Sequence, residues 1–309
     1  MKGITENSRL LNSRRFRQNI PLLIMFTPIL AYYLIFKYLP MGGLVIAFKE
    51  YNMRLGILGS LWVGLRNFEL LFMGRSTVNI IRNTFLLSVY RLIFGFPAPI
   101  FLALLLNEVR KTWFKKGVQT IIYIPYFFSW VIIGGIVVSI FSQERGIVNT
   151  IVKFFNDGQP YPFLFRETSW IIIYTGSGIW KGAGFGTIVY LAALTSIDPN
   201  LYEAAIIDGA NKWKQLIHIT LPGIKSTIII LFVLATGSIM EVGFDQVFVL
   251  QNSVVNHVAD VINTYIFRFG IQGARFDITT AMGLFDSLIG LILVVTTNAI
   301  ARKFNEGLW

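Results

Sequence analysis

An all-α, polytopic membrane protein is the fold class this sequence predicts, and three observations predict it. Of 309 residues, 54% are hydrophobic and only 14% are Asp, Glu, Lys or Arg, where a soluble domain carries about 25% charged residues. Mean hydropathy is +0.63. The apolar residues also arrive in long blocks rather than at core-forming intervals, so a water-soluble globule of this size could not coat itself with polar groups.

Six blocks are long enough to cross about 30 Å of hydrocarbon at about 1.5 Å per residue. They are 21–39, 84–106, 119–141, 170–197, 226–250 and 279–301. The first exceeds a signal-peptide core and has no small-residue cleavage site after it, which predicts a retained helix. In the fourth, Gly178, Gly182 and Gly186 share a stripe suited to close helix contact, and the glycines around Trp180-Lys181 permit a local break. Six crossings put both termini on one side. The clusters Arg14, Arg15, Arg17 and Arg110, Lys111, Lys115, Lys116 flank spans directly and mark that side as cytoplasmic. No repeat or soluble-domain boundary interrupts 1–309, so a single transmembrane domain is expected.

Net charge is +11, but the basic residues flank apolar blocks instead of forming a nucleic-acid stripe. Membrane lipid, and no nucleic acid, is therefore the expected partner. With no Cys and only His218 and His257, disulfides, thiolate nucleophiles and Cys- or His-rich metal sites are excluded. Three segments fall on the opposite side: 40–83, 142–169 and 251–278. The third carries Val261, Ile262, Tyr265, Ile266 and Phe269, a helical apolar stripe that predicts a short helix lying on the membrane face.

The cytoplasmic loop 197–222 reads IDPNLYEAAIIDGANKWKQLIHITLP, more than a passive connector needs. Asp198 can cap a first helix with Pro199 at its first position. Leu201, Ala204 and Ala205 then share a face, and Gly209 supplies a left-handed stop. Asn211 can cap a second helix carrying Trp213, Leu216 and Ile217, which Pro222 closes. Periodicity leaves open whether this knob folds against its own helix ends or meets another protein.

A specific pattern separates those readings. Glu203-Ala204-Ala205, then Gly209, then Ile219-x-Leu221-Pro222 resembles the EAA loop of binding-protein-dependent ABC importer permeases at every fixed position. Trp62-x-Gly64-Leu65-x-Asn67-Phe68 looks like a recurrent element of carbohydrate-importer permeases. The run 190–210, and the stretch from Gly243 through Asp260-Val-Ile-Asn-Thr-Tyr265 to Gly307-Leu-Trp309, are similar to the subgroup that imports complex oligosaccharides and polysaccharide fragments.

The resemblance implies the type I ABC importer permease fold, in a prokaryotic cell membrane. It implies a transport subunit, not an enzyme, with no cofactor on this chain and with ATP and Mg on a partner. The partners implied are two copies of an ABC ATPase, a second permease of different sequence and an extracytoplasmic sugar-binding protein. Glu203, Ala204, Ala205, Asp208, Gly209 and Ala210 would carry the ATPase coupling. Consistent with that division of labour, the sequence holds no Gly-x4-Gly-Lys-Ser/Thr phosphate cradle.

Ionisable groups inside spans mark candidate pathways, and sugar recognition needs flat apolar rings beside hydroxyl partners. Tyr126, Trp130, Tyr174, Trp180, Lys181, Glu241, Phe244 and Asp245 meet that description. Glu241 and Asp245 are placed one helical turn apart in the fifth span, and Asp286 lies in the sixth. Lys181 is an alternative partner for Glu241 or Asp286, and Arg91 for lipid phosphate or a neighbouring helix. A secondary transporter would show inverted repeats between halves, and a membrane enzyme would need a metal cluster, a His-Glu-x-x-His pair or a Gly-x-Ser-x-Gly elbow. None is visible.

Overall fold

The computed structural model describes residues 19–303. The basic residues Lys2, Arg9, Arg14, Arg15 and Arg17, and the Gly307-Leu308-Trp309 motif, lie outside the described residues. Within them the fold is helical apart from one two-stranded antiparallel hairpin. Three helices are long and apolar enough to cross a membrane: α1 (Asn19–Phe48), α3 (Ser76–Glu108) and α14 (Phe276–Arg302). They contain the first, second and sixth predicted spans.

The first part of α1 is exposed all round, with Leu22, Met25 and Phe36 each more than half accessible. Its final 3-10 stretch, Leu39–Phe48, packs on α14. The strands β1 (Lys49–Glu50) and β2 (Leu61–Trp62) follow, with Lys49 opposite Trp62, and lead into α2 (Arg66–Met73). The Trp62–Phe68 motif explains itself here. Gly64 takes a φ of +61°, which only glycine adopts cheaply, and turns the chain into α2. Asn67 is buried and donates to the Ala47 and Lys49 carbonyls, both at 2.9 Å. Trp62 stacks on Phe48.

The third predicted span is not one helix. α4 (Thr112–Phe127) and α5 (Trp130–Phe141) meet at 104°. Pro125 lacks the N–H that would continue the ladder, Phe128 and Ser129 are extended, and Ser129 Oγ caps α5 by accepting from Ile132 N. After the short α6 (Ile147–Phe155) comes α7 (Glu167–Thr195). This is the fourth predicted span, unbroken at Trp180 and 29 residues long. At about 1.5 Å per residue it could cross a bilayer, but its glycines and polar residues keep it out of the helices apolar enough to be counted as spans.

The loop between α7 and the next apolar helix holds α8 (Pro199–Ile207) and α9 (Lys212–Gly223). α9 runs one residue past Pro222 and bends by 59° into α10 (Lys225–Gly237). The fifth predicted span is also broken. α10 ends at Gly237, residues 238–243 are non-helical, and α11 (Phe244–Leu250) starts afresh. Among the described residues the spans are therefore three, or five if each bent pair counts as one, and not a clean six.

The last loop holds α12 (Asn256–Ala259) and α13 (262–272), and the apolar stripe of α13 turns mostly onto protein, with Phe269 left exposed. Val261 and Ile262 are fully buried and Tyr265 nearly so, packed into two protein cores. An apolar stripe looks the same whether lipid or protein covers it, and here α3, α11 and α14 cover it. Burial raises the Tyr265 phenol pKa above its usual value. α7 lies at the centre of the fold, against α3 and α4.

Candidate functional site

The loop 196–222 is built as its sequence predicts. Asp198 accepts from Asn200 N at 2.9 Å and Asn211 from Lys214 N at 2.9 Å, capping α8 and α9. α8 ends in a Schellman turn: Gly209 N–H donates to Ile206 O at 3.0 Å and Ala210 N–H to Ala205 O at 2.8 Å. Gly209 has φ +74°. Tyr202 and Thr220 hydroxyls meet at 3.0 Å, and Lys212 pairs with Glu108 at the end of α3. Glu203, Ala204, Asp208 and Gly209 are exposed and Ala205 and Ala210 half-buried. Leu201, Ile206, Ile207 and Trp213 are more than half accessible. The knob is capped at both helices, and its apolar face is bare instead of folded against its own helix ends.

A second candidate site is a half-open cavity of about 450 Å³ bordered by α3, α5, α7, α10, α11 and the 238–243 break. Ser88, Arg91, Trp130, Tyr174, Thr175 and Gln246 line it. Arg91 opens a π-helical turn, Arg91–Gly95. Its Nη1 donates to Glu241 O at 2.8 Å and its Nη2 to Ser238 O at 3.0 Å, so it bridges to carbonyls freed by the break in the fifth span. Gln246 Nε2 donates to Tyr174 O at 2.6 Å and Ser177 Oγ at 3.2 Å. Trp170 Nε1 donates to Leu250 O at 2.8 Å. These bonds fix α11 across α7.

Lys181 does the same for the other break. Its Nζ donates to the carbonyls of Tyr126 (2.8 Å), Pro125 (3.4 Å) and Phe128 and lies over the Tyr126 and Trp130 rings. A cation at a helix C-terminus satisfies open carbonyls and the dipole together, which matters most where no water reaches. A smaller cavity of about 250 Å³, lined by Glu241, Asp286 and Ser287, lies between α10 and α14. Asp286 Oδ1 is buried there without a hydrogen-bond partner.

A family model described as "Binding-protein-dependent transport system inner membrane component" matches residues 95–308. The chain belongs to that family. This permease is 46% identical over 285 residues to the polygalacturonan/rhamnogalacturonan transport system permease protein YteP of Bacillus subtilis, covering 92% of this chain and 88% of YteP. It is 44% identical over 290 residues to Protein LplB of the same organism, covering 93% and 91%. Among solved structures it resembles a chain of a bacterial ABC transporter involved in the import of the acidic polysaccharide alginate, with TM-score 0.87, 42% identity and coverage of 96% and 99%. As a member of this family it is a membrane-embedded transport component, not an enzyme.

The predicted pathway residues of the permease do not form one site. Trp130 and Tyr174 line the larger cavity. Tyr126 stacks on Phe185 outside it, and Trp180 lines a separate apolar groove with Phe141 and Phe163. Lys181 pairs with neither Glu241 nor Asp286, being spent on carbonyls. Glu241 lies in the non-helical break, so it is not one helical turn from Asp245, and it lines the smaller cavity. Asp245 is exposed in the first turn of α11, and Phe244 packs on Phe248 and Phe267. Sequence reasoning did not assemble Ser88, Arg91, Thr175 and Gln246. Arg91, a charge inside an apolar block, was the one available signal.

Proposed function

We propose that this permease is one half of the membrane pore of an ATP-driven importer of complex, acidic oligosaccharides or polysaccharide fragments. Its likeness to YteP and to the alginate importer chain supports the substrate class. The solved transporter in complex with an alginate pentasaccharide-bound periplasmic protein supports delivery by an extracytoplasmic binding protein. A second permease and two ATPase subunits, which bind ATP and Mg, complete the assembly. In this reading the chain is one transmembrane domain that crosses six times with both termini cytoplasmic, the two broken spans and α7 included.

The observation that carries the reading is the bare, doubly capped knob. Glu203, Ala204, Ala205, Asp208, Gly209 and Ala210 sit on a helix end whose apolar neighbours face outward, the shape of an element inserted into a groove. Because the chain contains no Cys, single cysteines report its contacts cleanly. A cysteine at Ala204 should cross-link to the ATPase subunit in assembled membranes, whereas one at Leu58, 95% exposed in the β1–β2 loop, should not. Absence of the first cross-link, or uptake driven by a proton gradient without the ATPase, would refute the proposal.

A further inference from the structure

We propose that the larger cavity is a subsite for the carboxylate of an acidic sugar unit, with Arg91 as its ionic partner. The inference rests on the importer reading and assigns it a specificity residue. A guanidinium carries five donors in a planar fork. Two of its nitrogens each spend a bond on the carbonyls of Glu241 and Ser238, which leaves donors in a plane fixed by those contacts. Arg91 makes no ion pair among the described residues. A cation at membrane depth without an anion is costly and marks a ligand or ion path.

The rest of the lining agrees. Trp130, half-buried on the lining, supplies a flat ring of the kind a sugar face stacks on. No Asp, Glu or Lys is among the lining residues. Glu241 and Asp286 line the other cavity, with the 238–243 break between, so the ionic character of this cavity is set by Arg91 alone. A volume of about 450 Å³ lies within the range of small-molecule sites, about 300–1,000 Å³.

The test uses the assembled transporter in lipid nanodiscs, without its binding protein, and two probes that differ only in charge: trigalacturonate and its fully methyl-esterified form. Wild type should bind the acid at least tenfold more tightly than the ester, and equal binding overturns the proposal whatever any variant does. Arg91→Gln should weaken acid binding at least tenfold while changing ester binding less than twofold, and Arg91→Lys should keep a preference for the acid. Equal losses on both probes would reduce Arg91 to a brace for the 238–241 segment, and no loss on either would remove it from the path. Wild type binding neither probe overturns the subsite. Uptake of trigalacturonate by the same complex with its binding protein and ATP then decides separately whether the importer reading stands.

Discussion

Gly209 offers the sharpest quantitative handle on the proposed coupling role of the 197–222 knob. It holds φ +74°, and a Cβ built there meets nothing within 4 Å. Any penalty for substitution is therefore conformational and not steric. An ordinary L residue in this region costs about 1–2 kcal/mol, Asn less, and a β-branched residue up to about 3 kcal/mol. At about 1.4 kcal/mol per factor of ten, Gly209→Ala should deplete the Schellman-capped loop roughly fivefold and Gly209→Val roughly 100-fold, with Gly209→Asn close to wild type. The assay is binding-protein-stimulated ATP hydrolysis and uptake by the reconstituted complex, with thermal stability of the isolated permease as the control. Coupling should fall in the order Gly, Asn, Ala, Val while stability barely moves, because Gly209 is exposed and packs on nothing. Wild-type coupling in Gly209→Val would refute the reasoning. So would equal and complete loss in Ala and Val, the pattern of a steric clash.

Two further outcomes test the bundle. Lys181→Met removes the Lys181 donor from the carbonyls of Tyr126 and Phe128 and leaves that of Pro125 with the Phe128 N–H alone, and should destabilise the permease by about 2 kcal/mol, read as a lower midpoint in detergent thermal unfolding; an unchanged midpoint would show that the bend holds without it. A methyl group on Gly184 would overlap the Ile122 carbonyl, whereas one on Gly182 meets nothing within 4 Å. Gly184→Ala should therefore lower the midpoint, overpacking costing about 1–3 kcal/mol, and Gly182→Ala should hold or raise it through the about 1 kcal/mol of helix propensity gained.

Much of this was legible in the residues. The blocks 84–106 and 279–301 lie inside α3 and α14 because hydropathy is additive along a helix whose sides are all apolar. Asp198, Gly209 and Asn211 mark the loop because capping is local chemistry, settled within three or four residues. The breaks were not legible. Pro125 is visible in the sequence, yet a proline in an apolar block bends a span only as far as its freed carbonyls find donors, and the donor here is Lys181 on another helix. The break at 238–243 carries no proline, and the cation bridging to its carbonyls, Arg91, lies some 150 residues away in the chain.

The same division explains the site. Composition and spacing settle on their own that this chain lives in a membrane and carries a doubly capped knob, since both follow from transfer free energy and short-range hydrogen bonding. Which charges share a cavity is decided by how α3, α7 and α11 cross. That crossing places Arg91 with Trp130 and Gln246 and turns Glu241 toward Asp286 instead. Only side chains far apart in sequence, brought to contact by packing, could make that choice.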